Sequence, residues 1–156
     1  MEYPVLKYLK NFISGKANEQ NKIPFNYPTP ISQKLDMKIV AVEKGEAKIR
    51  LLTDIKIHGN QQGTVHGGLL CELADAAIGT AHSTLMQDSE SFTTIEIKVN
   101  FLRPVWDNEL IAHAYPKHNG KTITVYSCEI INKEKKVVAI ATSTIMTLSG
   151  IKAKGR

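Results

Sequence analysis

The spacing of apolar residues along the chain predicts a short amphipathic helix, a β-hairpin, a long helix and four further strands, in that order. Apolar side chains recur at helical spacing from Val5 to Ile13, so the chain begins with a helix that packs one face against the fold. Residues 15–33 contain three prolines and predict a connector. The runs 35–42 and 47–52 flank a turn at 43–46, which predicts a hairpin.

The second half of the chain indicates one helix followed by strands. A helix is predicted from Gly67 to Met86, with a polar loop at 87–91. The four strands that follow are predicted at 92–102, 109–115, 122–131 and 137–148. Asn119-Gly120 is a typical hairpin turn between two of them. This order predicts an α+β fold, in which one antiparallel sheet carries the helix on one face.

The first of these four strands has two faces of different chemistry. Strict alternation separates an apolar set from a polar set, the first being Ile95, Ile97, Val99 and Phe101 and the second Thr94, Glu96, Lys98 and Asn100. We expect most of the polar set to face solvent or an interface, as in other half-buried strands.

Length and composition are those of one ordinary globular domain. The chain has 156 residues, of which 42% are hydrophobic and 22% charged, and this excludes disordered and collagen-like classes. We expect the domain at residues 34–149, preceded by the helix and connector at 1–33 and followed by a basic tail at 150–156.

Charge, cysteines and hydropathy exclude several classes of function. The formal charge of +5 is scattered, so we expect no nucleic-acid surface. Cys71 and Cys128 are far apart and the histidines lack paired ligand spacing, so no disulfide framework and no metal site are predicted. The longest apolar run, residues 137–141, is far shorter than the ~20 residues of a spanning helix. With no signal-peptide core at the N-terminus, a cytoplasmic protein that avoids the membrane is expected.

The long predicted helix is apolar on nearly all sides, which is typical of a helix that the sheet wraps. Asp75 lies in its middle, where burial of an unpaired carboxylate costs free energy and raises its pKa. Two interpretations stay open at this point. Asp75 is either a hydrogen-bonded structural acid or an acid, base or nucleophile in a reaction.

A glycine-rich segment at 58–68 leads into the same helix. Its backbone N–H groups would lie at the positive end of the helix dipole, where they can bind an anion or a developing oxyanion. The segment contains neither G-x-G-x-x-G after a strand nor G-K-[ST], so the nucleotide-phosphate motifs do not fit.

Three motifs together carry a specific resemblance. They are Asn60-x-x-Gly63-x-x-His66-Gly67-Gly68, Asp75, and Asn100-Phe101-Leu102-Arg103-Pro104-Val105. In this combination the chain resembles the hotdog-fold acyl-CoA thioesterases, in particular their PaaI-like branch, from about residue 35 to residue 148. The resemblance implies a curved antiparallel sheet around a long central helix. It also implies hydrolysis of acyl-CoA to a carboxylic acid and coenzyme A, with no cofactor beyond the coenzyme A of the substrate.

The resemblance also implies a set of catalytic residues. The backbone N–H of Gly67 would bind the thioester carbonyl, and Asn60 and His66 would orient the substrate or the attacking water. Asp75 would act as nucleophile or general base, and the hydroxyl of Thr94 would lie near this acid.

A further set of residues is implied for substrate binding. Gly68 belongs to the helix start that receives the thioester, and Arg103 matches a place where the nucleotide part of coenzyme A lies. The turn formed by Asn119, Gly120 and Lys121 matches a second such place.

The helix itself predicts an assembly. Asp75 follows Gly67 by eight residues, which separates them by about 12 Å along a helix axis. Both cannot act at ~3 Å on one carbonyl. If both act on the same thioester, the acid comes from a second copy whose helix runs antiparallel. A twofold homodimer with two composite sites follows, and its further pairing into a tetramer stays open.

Three further residues of the predicted helix favour structural roles, and two other functions compete with thioester hydrolysis. Glu72 is expected to complement the helix dipole, His82 to be structural, and Cys71 to be no nucleophile because it shares no helical face with His66. Two alternatives remain: a hotdog dehydratase or hydratase, and a non-catalytic acyl-CoA sensor. The sequence leaves the acyl chain length and any aromatic preference open.

Overall fold

A computed structural model describes residues 3–16 and 23–154 of the chain. Its helices are α1 (Pro4–Ile13), α2 (Pro30–Lys34), α3 (Ile55–His58) and α4 (Gly67–Ser83), with a 3₁₀ turn at Gly150–Ala153. Its strands are β1 (Lys38–Glu43), β2 (Glu46–Leu52), β3 (Glu90–Phe101), β4 (Glu109–Asn119), β5 (Ile123–Asn132) and β6 (Val137–Ser149). All six predicted strands and the two main predicted helices are present.

The strands form one antiparallel sheet in the order β1-β2-β4-β5-β6-β3. The predicted hairpin joins β1 and β2, and its last register pair is Glu43 with Glu46. β3 crosses over the sheet to pair with β6, so β1 and β3 form the two edges. The α+β prediction of one antiparallel sheet with a long helix is confirmed.

Helix α4 packs on one face of the sheet. The inward positions of β2 alternate with exposed ones, so Ala47, Ile49 and Leu51 are buried against the helix. The buried side of α4 contributes Leu70, Leu73, Ala74, Ala77, Ile78 and Ala81. Its opposite side is only half-buried, so the sheet of one chain covers α4 on one side rather than all round.

The predicted end of the long helix was three residues too late. Two hydroxyls fold back at its C-terminus: Ser83 Oγ donates to the carbonyl of Thr80, and Thr84 Oγ1 donates to that of Ala81. Such bonds give side-chain donors to carbonyls at a helix end, where backbone donors run out, although the carbonyl of Ala81 also accepts the N–H of Thr84. The chain therefore leaves the helix at Ser83, before Met86.

Strand β3 contains a bulge that the alternating pattern could not show. The β3–β6 register shifts between Thr94 and Glu96, which places the extra residue at Ile95. Thr94 thereby faces α4, and Ile95 is 51% exposed. The prediction that grouped Ile95 with Ile97 was therefore wrong for this residue, as was the grouping of Thr94 with Glu96.

The predicted connector holds more structure than expected. Helix α2 begins at Pro30, where Thr29 Oγ1 accepts a hydrogen bond from the N–H of Ser32. Residues 17–22 of the connector lie outside the described part of the chain. Helix α1 buries Val5 and Leu9 in the same core as the sheet, while the predicted boundaries at 33/34 and 149/150 stay predictions.

Helix α3 was not predicted from the sequence. Asp54 caps it, with Oδ1 accepting a hydrogen bond from the N–H of Lys56. The helix spans one turn only, too short for a periodic apolar pattern. Within residues 3–16 and 23–154, no helix is long and apolar enough to cross a bilayer.

Candidate active site

The segment before α4 is a tight loop that Asn60 holds together. Asn60 Oδ1 accepts hydrogen bonds from the N–H groups of Gln62 (2.9 Å) and Thr64 (3.2 Å), and Nδ2 donates to Thr64 Oγ1 (3.0 Å). Gly63 has φ +76, in the left-handed region that favours glycine. Asn60 thus fixes the loop that leads into α4, and its action on the substrate stays a prediction.

His66 is the N-cap of α4. Its Nδ1 accepts a hydrogen bond from the N–H of Gly68 at 3.0 Å, which satisfies one of the first N–H groups of the helix. With Nδ1 as acceptor, the neutral ring carries its proton on Nε2. The N–H of Gly68 is occupied by this bond, so the N–H of Gly67 is the next candidate for an anion at the helix start.

Gly67 offers a free N–H under an aromatic ring. Within the described ranges, no acceptor receives this N–H. A Cβ built on Gly67 would lie 2.9 Å from Phe101 Cζ, so a side chain here would force the ring to move. Phe101 belongs to the motif at 100–105 that carries the family resemblance, but no role was predicted for it. Its contact with Gly67 depends on how β3 crosses α4, which the sequence does not show.

A groove of about 450 Å³ lies beside the start of α4. Its lining includes Asn60, Gly67, Leu70 and the segment 101–105. Three predicted site residues therefore meet here: Asn60, Gly67 and Arg103. Arg103 Nη1 donates to the carbonyl of Val137, which orients the guanidinium at the start of β6. Asp75 does not line this groove.

Asp75 lies in the middle of α4, on its half-buried side, beside the edge strand β3. Thr94 Oγ1 donates a hydrogen bond to its Oδ1 at 3.3 Å, so the predicted neighbour contact is present. Burial raises the pKa of the Asp75 carboxyl, and the bond from Thr94 opposes part of that rise. The role of this pair in chemistry stays a prediction.

Glu72 lies on the same side of α4, three residues before Asp75. It stands beyond the first helical turn, where the dipole no longer has much effect, so its predicted role at the dipole was wrong. Burial raises the pKa of Glu72, and the nearby charge of Asp75 raises it further. The half-buried side of α4 thus carries two carboxyl groups, Glu72 and Asp75, whose raised pKa values disfavour ionisation.

The turn at Asn119, Gly120 and Lys121 lies elsewhere in the protomer. It lines a second cavity of about 230 Å³, together with Lys44 and His82. His82 stands in the last turn of α4, about 22 Å along the axis from Gly67. A single chain therefore does not bring this turn to the groove that holds Gly67.

The surroundings of His82 and Cys71 fit structural rather than catalytic roles. His82 is buried, with its ring nitrogens 3.3 Å from Tyr126 Oη and 3.0 Å from Thr147 Oγ1, and burial lowers its pKa to about 4. Burial raises the pKa of the Cys71 thiol, which disfavours the reactive thiolate. Within residues 3–16 and 23–154, no three His, Cys, Asp or Glu side chains converge as metal ligands.

Comparison with known proteins identifies the family. Residues 62–139 match the model of the thioesterase superfamily. The acyl-coenzyme A thioesterase PaaI of Escherichia coli is 35% identical over 109 residues, which cover 68% of this chain and 74% of that protein. The 1,4-dihydroxy-2-naphthoyl-CoA hydrolase of Listeria monocytogenes is 32% identical over 117 residues, covering 74% of this chain and 93% of that protein.

Similarity of fold extends over almost the whole chain. The solved structure of the Escherichia coli PaaI protein superposes with a TM-score of 0.76 at 22% identity, covering 94% of this chain and 95% of that one. Fold and sequence together define a hotdog-fold thioester hydrolase. The chain belongs to the thioesterase superfamily, in its PaaI-like branch.

Proposed function

We propose that the protein hydrolyses acyl-CoA thioesters at composite sites of a homodimer, each built from Gly67 of one protomer and Asp75 of the other. The observation that carries this proposal is the separation of the two groups on α4. The groove beside Gly67 does not include Asp75, although both residues lie on the same helix. A second, antiparallel helix brings the missing carboxylate to the groove.

The free edge of the sheet supports the dimer. β3 is an edge strand of 12 residues that carries the exposed side chains of Ile95 (51%) and Phe101 (53%). Long edge strands with exposed apolar residues pair readily with another chain. A twofold axis between two β3 strands continues the sheet and makes the two α4 helices antiparallel neighbours. It also covers the half-buried side of α4 that bears Asp75.

The proposed chemistry uses the helix start and the carboxylate. The N–H of Gly67 stabilises the charge that develops on the thioester oxygen, and removal of one such donor typically costs ~3 kcal/mol. Asp75 either attacks the carbonyl carbon to form an anhydride, which water then opens, or takes a proton from the attacking water. In both routes the C–S bond breaks, the acyl carbon gains oxygen from water, and the sulfur leaves as coenzyme A.

The nucleotide part of coenzyme A is assigned to basic and polar groups around the groove. Arg103 lines the groove of its own protomer. In an antiparallel pair, the C-terminal half of one α4 extends past the partner's Gly67. The turn at 119–121 therefore lies on the side of the partner's groove, and we propose that it completes the site there. The formal charge of +5 favours the anionic substrate.

Release of thiol from acyl-CoA tests this function directly. We expect the purified protein to liberate one coenzyme A thiol and one carboxylic acid per acyl-CoA consumed, measured with a thiol reagent and by mass spectrometry of the acyl product. A product that keeps its thioester and gains or loses water would establish a hydratase or dehydratase instead. Binding of acyl-CoA with no thiol release would establish a sensor.

The acid limb of the pH profile depends on Thr94. Asp75 acts as a carboxylate, and its pKa is raised. As the pH is lowered, we therefore expect kcat/KM to begin to fall at a higher pH than it would for an ordinary aspartate. Thr94→Val removes the hydrogen bond that favours the carboxylate, so the fall should move to still higher pH. Thr94→Ser keeps the hydroxyl and serves as the control. If the natural protein, Thr94→Val and Thr94→Ser all showed the same pH profile, the ionisation of Asp75 would not control the rate.

A further inference from the structure

A cavity of about 130 Å³ lies between the N-terminal elements and α4. Helices α1 and α2, the connector between them and strands β1 and β2 contribute to its wall, and Thr80 of α4 completes it. Most of the wall consists of apolar or aromatic side chains, namely Phe12, Tyr27, Pro28, Met37, Ile39 and Ile49. We call this space the N-terminal cavity.

The N-terminal cavity is separate from the proposed active site. Thr80 follows Asp75 by five residues, which places the two side chains about 140° apart around α4. Of the residues that the structure describes, none lines both this cavity and the groove beside Gly67. A ligand of the N-terminal cavity would therefore bind independently of the proposed thioester hydrolysis.

The hydroxyl groups around the N-terminal cavity bond mainly to one another. Tyr27 Oη donates a hydrogen bond to Ser83 Oγ at 2.7 Å, and Thr29 Oγ1 donates one to Ser32 Oγ at 2.8 Å. A buried water typically needs about three polar partners. Because these groups are already paired, the cavity favours an apolar molecule over water.

The wall of the N-terminal cavity presents no unpaired charge. Lys38 is the charged residue among those described in the wall, and its Nζ lies 2.6 Å from Asp36 Oδ1. Ser32 Oγ accepts the bond from Thr29, and within residues 3–16 and 23–154 no acceptor receives its own proton. The cavity therefore fits a neutral ligand that offers one hydrogen-bond acceptor.

We propose that the N-terminal cavity binds a neutral molecule of one aromatic ring with a single polar group, a simple phenol being the model ligand. An apolar protein cavity of roughly 150 Å³ holds benzene, so the volume suits one ring. Phe12 and Tyr27 provide aromatic contacts for that ring. The hydroxyl of Ser32 donates a hydrogen bond to the ligand oxygen.

Thermal unfolding with phenol, benzene and benzoate as separate probes tests this site. A ligand that binds only the folded protein raises its melting temperature. We expect the largest rise with phenol, a smaller one with benzene and none with benzoate, since the wall leaves no free cation. The ¹⁹F resonance of 4-fluorophenol, titrated with the protein, measures the affinity directly.

Three variants locate the bound ring. Ile39→Trp places a large side chain in the cavity and should abolish the rise with phenol. Ile31→Trp is the matched control, because Ile31 is 48% exposed on α2 and does not line the cavity, and it should keep the rise. Ser32→Ala should weaken phenol binding about fivefold, the typical effect of one hydrogen bond, and leave benzene binding unchanged.

Several results would overturn the inference. No rise with either phenol or benzene would mean that the cavity takes no aromatic ring, and equal rises in the two Trp variants would place phenol elsewhere on the protein. Benzoate that binds as tightly as phenol would contradict a neutral ligand. If Ile39→Trp fails to fold, Ser32→Ala carries the test, because unchanged phenol affinity there would contradict the site. Thiol release from acyl-CoA is a separate result and bears on the proposed function alone.

Discussion

Asp75→Asn should reduce thioester hydrolysis by at least about 100-fold, the lower range for loss of a general acid or base. Asparagine keeps the size of the side chain and can still accept the hydrogen bond from Thr94 Oγ1. It can neither remove a proton from water nor attack the carbonyl. The loss should therefore fall on kcat, with acyl-CoA binding retained. Steady-state kinetics with the best acyl-CoA, together with calorimetric binding, checks both parts.

The same substitution should stabilise the protein at neutral pH. A raised pKa in the folded state means that folding favours the protonated carboxyl, so stability is lost as the pH rises through that pKa. Asparagine stays neutral and avoids the loss. We expect a higher melting temperature for Asp75→Asn at pH 7, and a difference that disappears at a pH below the ordinary pKa of aspartate.

Glu72 provides the matched control for both measurements. It is a carboxyl group on the same side of α4, three residues earlier, and burial also raises its pKa. Glu72→Gln should change kcat only slightly. Equal losses in the two variants would mean that the negative charge of this helix face, rather than the Asp75 carboxylate, supports the reaction.

Mixing two inactive variants should restore activity if each site takes residues from both protomers. Gly67→Ala is expected to be inactive, because its Cβ would lie 2.9 Å from Phe101 Cζ and disturb the carbonyl site. A mixed dimer of this subunit with Asp75→Asn contains one site with neither defect and one with both. Equal amounts, unfolded and refolded together, should recover about a quarter of the natural turnover, since half of the dimers are mixed and half of their sites are intact.

The control for this experiment pairs two changes at the same position. Asp75→Asn mixed with Asp75→Ala leaves every site without its carboxylate, so no recovery is expected. Light scattering and differently tagged subunits show whether mixed dimers have formed. Mixed dimers of Gly67→Ala and Asp75→Asn that remain inactive would contradict the composite site, and each chain would then need a complete site of its own.

Features that depend on residues close together in the sequence were predictable. The hairpin at 43–46, the start of α4 at Gly67 and the order of the strands follow from local patterns that the structure keeps. Asp75 stood out because a carboxylate in an apolar helix is costly wherever that helix packs. The aromatic cover of Gly67 was not predictable, because Phe101 reaches it through the path of β3.

The sequence by itself determined the six strands and the two main helices, the helix start that can bind an oxyanion, and the carboxylate of Asp75 eight residues further on. Those features depend on the order and spacing of residues along one chain, which the sequence gives directly. Only the tertiary structure decided that a bulge at Ile95 turns Thr94 toward Asp75, and that the ring of Phe101 lies over Gly67. Register and side-chain contact arise between distant segments, where one inserted residue moves a side chain to the opposite face.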